Sequence, residues 1–578
     1  MKIQLKQAAM SLVLTSSLLM AGVPALADGA AVSPAAAVYD LNDSLHVTIE
    51  GVYNEKTSGG VRLGAVIRVN NTSGQTLRIP DHELRVKTAD GVTYTLRPSS
   101  SNAHGVQPDS EVELTYLKVV NRQTEVSLTD LSLIDVDYDV YPKVETTLFT
   151  ASIGSTVWNG GRSELKEAAL LKKWGESFTI PTLESPLQYK TVDFTRSNTN
   201  EGADYVVKLL VTNPSDQTET VPALQLDGKA KANIYAGKQV EAGTVSLEPG
   251  ESKYIHFAIR AEMDTILESI NVLTAESFTQ ADSAGAVKTT NFAIGKLNVQ
   301  LPGSKEAVSS YQYGTPIVFE KWNDVINQDL DVSLNELHIA DNEDQGSKLA
   351  FAKFKLTNKG LSPIPVPAFQ TELSSKAGYD YAGSRQSDAQ KTIAPGTSTV
   401  VSYAFVLPVS ETSETFTMKL QNVVNGAAGG DSTPAYKSTI ASYQVAAQSE
   451  EDRHKISLFP YTVNIKDYFL AQITSPGQSL AINYTYKLQL YMELARDPQV
   501  LVDNNFSKLK FELVDAAGSI LGSKTFPFTG TDRLVNGKQT LTFNNLTTDQ
   551  IQSNVTVKVY EALNTPAGEV DRLIAELK

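Results

Sequence analysis

Short apolar runs alternate with polar positions along most of this 578-residue chain. In the run from Ala65, Val66, Arg68 and Asn70 fall on one side of an extended strand, and Ala65, Ile67 and Val69 fall on the other. A period of two, broken by turn residues roughly every 8–12 positions, predicts antiparallel sheets with one face on a core. Helical character is confined to Ser163–Trp174 (SELKEAALLKKW). Helix formers dominate there, and Leu170 and Trp174 share one face, so a short linker helix is expected.

The pattern recurs. AVIRVNNTSGQTLRIPDHEL from Ala65, VKLLVTNPSDQTETVPALQL from Val207 and AKFKLTNKGLSPIPVPAFQT from Ala352 align without gaps. Each strand ends in Asn (Asn71, Asn213, Asn358), with Pro nine residues later (Pro80, Pro222, Pro367). A second shared turn, PDSE, PGES or PGTS, begins 28, 27 and 28 residues further on, at Pro108, Pro249 and Pro395. Eight residues beyond each of these stands an aromatic: Tyr116, Phe257 and Tyr403. Tyr94, Tyr235 and Tyr381 lie between the prolines and place the second copy's one-residue deletion before Tyr235. A fourth copy is divergent. Gly518 precedes Phe543 by 25 residues, as Gly91 precedes Tyr116 and Gly378 precedes Tyr403, but Pro498 stands where the strand-ending Asn is expected. Asn can bond its own following backbone, Pro withdraws a ladder donor, and Pro-Gly favours a type II turn. The recurring aromatics read as core residues between two sheets.

Strand, Asn, Pro, Tyr, Pro-Gly and strand together resemble the immunoglobulin-like extracellular domains of secreted and surface proteins of Gram-positive bacteria. The resemblance implies an all-β chain of four tandem immunoglobulin-like antiparallel β-sandwich domains, with the short linker helix after the first. The expected bounds are 44–153, 154–178 for the linker, 179–302, 312–447 and 454–578. Such domains serve as spacers, adhesion modules and binding modules, and the fold alone does not choose among them.

The compartment is read from the first residues. Lys2 and Lys6 precede an apolar run from Ala8 to Val23, and Ala25-Leu26-Ala27 is a cleavage signal, so residues 1–27 are expected to be a signal peptide. No later stretch is apolar enough to span a membrane. The chain has no Cys, which for an exported protein points to a Gram-positive source and makes each domain depend on its own core. The net charge is −15, and −17 once the leader's two lysines are removed. That opposes binding to nucleic acid or an anionic membrane.

Candidate chemistry is sparse. There is no G-x-S-x-G elbow, and the six histidines are scattered. Asp135, Asp137 and Asp139 (DVDYDV) form a weak candidate metal site, with calcium the cation considered, although Val140 and Thr146 stand where a calcium loop needs Gly and Glu. Tyr484 and Tyr486 alternate on one strand face and are the candidate ligand platform, against a reading in which they face the core beside Leu488 and Leu490. The expectation is a secreted, non-enzymatic structural or interaction protein of the cell envelope or extracellular space, without a cofactor. Its partner would be an unknown protein or cell-wall polysaccharide. The alternative is a wall- or polysaccharide-binding protein using exposed tyrosines, and a hydrolase comes third.

Overall fold

The computed structural model describes residues 37–578 apart from 125, 155, 161–164, 166–167, 182, 184, 232, 282–285, 303–307, 321, 343–345, 388–390, 426–434, 450–452, 477–481 and 549–553. The expected signal peptide and part of the expected linker helix lie outside the described residues. The described chain is all β, built from antiparallel ladders with a few short parallel pairings.

Four apolar clusters succeed one another along the chain, each drawing on two sets of strands, and we call one cluster with its strands a module. In the first module, a sheet containing Leu45–Thr57, Gly60–Asn71 and Ser110–Val120 faces a sheet containing Glu83–Thr88, Leu128–Asp137 and Val144–Ser152. The alternation read from Ala65 is the one found: Ala65, Ile67 and Val69 are buried in that core. In the second module the two sheets are continuous, because Ile234–Gln239 pairs with Leu224–Lys229 on one side and Ser252–Ala261 on the other.

The repeated Asn is a buried corner. Asn71, Asn213 and Asn358 are fully buried. Each donates through Nδ2 to the carbonyl four residues on, of Gln75, Gln217 or Ser362, at 2.7, 2.7 and 2.8 Å. Each also donates to a carbonyl of the second turn, of Val106, Leu247 or Ile393, at 3.1, 3.0 and 2.9 Å. Oδ1 accepts from the amide two residues on, of Ser73, Ser215 or Gly360. One side chain thus ties two turns together. Gly250 and Gly396 of those turns take positive φ, of 73° and 68°, and the first copy accepts the same conformation at Asp109, φ 47°. Tyr116, Phe257 and Tyr403 are core residues.

Three expectations are corrected. No α-helix occurs among the described residues; those of the Ser163–Trp174 stretch include a 3-10 turn, Ala168–Leu170. Leu171–Lys172 then pairs in parallel with Asn298–Val299, while Leu170 and Trp174 pack on the second core, so burial overrides helix propensity. In the fourth module the corner position is Arg496, not Pro498. Arg496 Nη2 reaches the carbonyl four residues on, of Val500, at 2.7 Å, as the three asparagines reach theirs. Gly518 does occupy the turn of Gly91 and Gly378: each donates to the carbonyl three residues earlier, of Asp515, Thr88 and Ser375. Phe543 is displaced, however. Tyr116, Phe257 and Tyr403 stand opposite the residue six before the corner, Ala65, Val207 or Ala352. In the fourth module that place is held by Leu490, which faces Gln539, while Phe543 faces Tyr486.

Two β-bulges recur in every module. In the first hairpin the register shifts at Ile49/Gly51, Thr191/Asp193, Leu334/Glu336 and Ile465/Asp467. The residue beyond the shift faces the position five before the corner: Val66, Lys208, Lys353 or Tyr491. In the last hairpin the shift falls at Leu133/Ile134, Val272/Leu273, Leu420/Gln421 and Val559/Tyr560. Bulges bend strands and re-aim side chains. Here they divide each last hairpin into a half that covers its own core and an arm that continues past it.

Candidate interaction surfaces at the module junctions

The arms of modules two, three and four each lie on the outer face of the preceding module's first sheet, at the positions marked by the first bulge. At the first junction, Val66, Tyr53 and Trp158 of module one form one apolar cluster with Leu273, Phe292 and Ile294 of module two. The Tyr53 and Phe292 rings are 4.9 Å apart. The backbone comes close: a Cβ at Gly295 would stand 2.4 Å from the Trp158 ring, and one at Gly51 would stand 2.9 Å from Ile294. Lys296, the extra residue of the second bulge, donates to the Glu50 carbonyl at 2.5 Å, and burial lowers its pKa.

At the second junction Lys208 is 2% exposed. Its Nζ donates to Glu320 Oε2 at 2.9 Å and to the Thr439 carbonyl at 2.8 Å. The Thr439 amide donates to Asp193 Oδ2 at 3.1 Å, and Tyr254 lies under the ammonium.

The third junction is ionic. Lys353 lies 3.1 Å from Glu336 and 2.7 Å from Glu561 of the fourth module. Arg572 donates to Glu561 Oε2 through Nη2 at 2.7 Å and through Nε at 3.1 Å, and its guanidinium lies over Phe351. Lys353, Glu561 and Arg572 are all essentially buried. Burial pushes the Glu336 carboxyl up, but Lys353, Ser457 and the Phe459 amide outweigh it and hold the group below the usual carboxylate range. Burial, with the Arg572 charge beside it, lowers His338 to about 4. Around the charges, Leu349, Phe351 and Ala404 pack with Leu563 and Val570. Val500–Leu501 of the fourth module joins the third module's sheet in parallel at Ser398–Thr399.

The residues singled out in the sequence fall elsewhere. Tyr484 and Tyr486 are 1% and 2% exposed, stacked on each other in the fourth core, so they offer no platform to a ligand. Strand alternation turned them inward with Leu488 and Leu490. Asp135, Asp137 and Asp139 lie on and beyond the arm of the first module. Asp135 is 3.3 Å from His82, and Asp137 Oδ1 accepts the Asp139 amide. Among the described residues no group of three or more metal-ligating side chains comes together, so the weak candidate metal site is not assembled here. A cleft of about 320 Å³ opens beside the first junction, between Tyr53, Glu55, Arg62, Trp158, Asp227 and Phe292. Burial raises the Asp227 pKa. The cleft's three rings are 2–7% exposed, spent on packing against one another rather than on its opening.

Sequence reasoning missed the junction residues, although a signal was present. Lys208 and Lys353 each interrupt an apolar strand at the same repeat position, five before the corner Asn.

No family model matches the chain, and no curated protein matches it. Among solved structures, a protein of unknown function from Porphyromonas gingivalis W83 is similar over 46% of this chain and its own full length, with 11% identity and a TM-score of 0.13.

Proposed function

We propose that this chain is a secreted, non-enzymatic structural or interaction protein: four tandem immunoglobulin-like β-sandwiches fixed end to end as a spacer, in the envelope of a Gram-positive bacterium or in the medium around it. The observation that carries the reading is the junction that recurs three times at equivalent positions of the repeat. Modules joined only by flexible linkers keep charged side chains in water. Here cations at 1–2% exposure find their partners on the next module, and a buried charge is tolerated only where that partner stays in place. The leader-like residues 1–27 support export.

The chain's lack of cysteine makes the test direct. Thr93→Cys and Ser523→Cys place spin labels at exposed sites in the first and fourth modules. Pulsed dipolar spectroscopy on the doubly labelled chain is expected to give a single narrow distance distribution. A broad distribution, like that of a flexible string, would overturn the spacer reading.

A further inference from the structure

We propose that the chain assembles head to tail with further copies of itself: the free arm of the first module seats on the free first sheet of the fourth module of the next copy. This rests on the spacer reading above and adds the partner. Each internal junction joins an arm to the face before it, and on the arm of the first module and the first sheet of the fourth Val144 and Phe469 stand exposed. Such a contact is heterologous, so it adds copy to copy, closing into a ring where the rotation between copies permits and otherwise extending as a filament.

The two free surfaces match position by position. Phe469, 62% exposed, stands two beyond the first bulge, where Tyr53 stands in module one. Tyr53 packs on Phe292, and the arm residue at Phe292's place is Val144, 55% exposed. Lys487 occupies the place of Leu349, which packs with Leu563. Leu563's place on the free arm is held by Asp137, so an apolar contact inside the chain becomes an opposite-charge pair between copies. Asp135 stands where Glu561 stands, and Tyr491 where Lys353 stands, with Lys538 opposite Tyr491 in the ladder. Acid on the arm therefore meets lysine and aromatic surface on the sheet, and that complementarity favours a second copy over an unrelated partner. The acidic run DVDYDV gains a role without a metal.

Sedimentation velocity on the full chain, from about 1 μM to about 1 mM, tests the proposal. The mean mass is expected to rise with concentration. Phe469→Asp on the sheet and Val144→Asp on the arm should each weaken assembly at least about tenfold while leaving the melting curve unchanged, since both side chains are exposed. Mixing those two variants should give dimers and nothing larger, because each retains the surface the other lacks. Lys487→Glu should weaken assembly, and adding Asp137→Lys in the same chain should restore it. A wild-type chain that stays monomeric to about 1 mM would overturn the proposal, as would assembly indifferent to these variants or a mixture that grows beyond dimers. A monomer with a narrow label distance would leave the spacer reading standing, so the two failures are distinguishable.

Discussion

At the first junction Val66 and Ile294 meet over Gly51; at the third, the same repeat positions hold Lys353, Arg572 and Glu336. The strand pairing around them is alike, with a bulge in the first hairpin of one module and another in the last hairpin of the next. Backbone geometry therefore sets where modules dock, and the side chains at a few positions decide which modules dock. An apolar arm laid on Lys353 would strand a charge, and the Arg572 arm laid on Val66 would do the same, so the two junctions exclude each other's partners. A buried ion cluster adds little strength over a well-packed apolar contact of equal volume, and its effect here is to fix order.

Removing one member of the ionic cluster should have the largest effect. Glu561→Ala leaves Arg572 and Lys353 buried with only Glu336 nearby, and is expected to cost about 3–5 kcal/mol in chemical denaturation of the coupled third and fourth modules. Replacing Glu336, Lys353, Glu561 and Arg572 together by apolar residues of similar volume should recover most of that loss. If the single variant costs under about 1 kcal/mol, the cluster does not hold the junction.

Acid separates the two junctions next. His338 is held at about 4 in the folded chain by burial and by Arg572, below its ordinary 6.5. Between pH 6.5 and about 4 the unfolded chain binds a proton that the folded chain refuses, so stability falls as pH falls through that window. The loss is on the order of 3 kcal/mol, complete below about pH 4. Glu336, held low, loses stability in the same direction at lower pH, whereas Glu561, pushed up by burial against the pull of Lys353, opposes both. The histidine's share is read by comparison with His338→Asn across pH 4–7. Parallel pH profiles for the two proteins would remove it.

How far the sequence carried depends on which of these surfaces is considered. The corner asparagines, the turn of Gly518 and the inward aromatics were legible because each answers to a local rule that repeats: a side chain closing its own turn, a positive φ, a period of two. Arg496 was not, because a long side chain reaches the same carbonyl from an exposed position and leaves no fixed spacing to a proline. The described residues of Ser163–Trp174 form no α-helix because propensity is weak beside a sheet edge to pair with. The junctions were hidden for a different reason. Their charged residues occupy the polar half of the alternation and look like a solvated face until a second module is laid over them.

The apolar junction is probed by Gly295→Ala. The added methyl would stand 2.4 Å from the Trp158 ring, which is itself buried, and Gly295 is held in register with Leu273. Trp158 must give way, at about 1–3 kcal/mol. With only three tryptophans in the chain, a red shift in emission before global unfolding would report the first junction opening. Emission unchanged from wild type would mean that the ring is not packed as described.

The smallest expected change lies inside the fourth module, and it bears on both the fold and the discarded ligand platform. The Tyr486 hydroxyl is buried, with no hydrogen-bond partner among the described residues, and burial raises its pKa. Tyr486→Phe removes an unsatisfied polar atom while keeping the ring on Tyr484, so stability should stay level or rise by about 1 kcal/mol or less. Where a junction collapses on losing one charged group, a module core should accept losing a polar one. Co-sedimentation with isolated cell walls gives the second readout. A tyrosine holding sugar through its hydroxyl would lose binding along with it, whereas one packed in the core leaves any wall binding as it was. Loss of wall binding at unchanged stability would place Tyr486 on a working surface and contradict its burial.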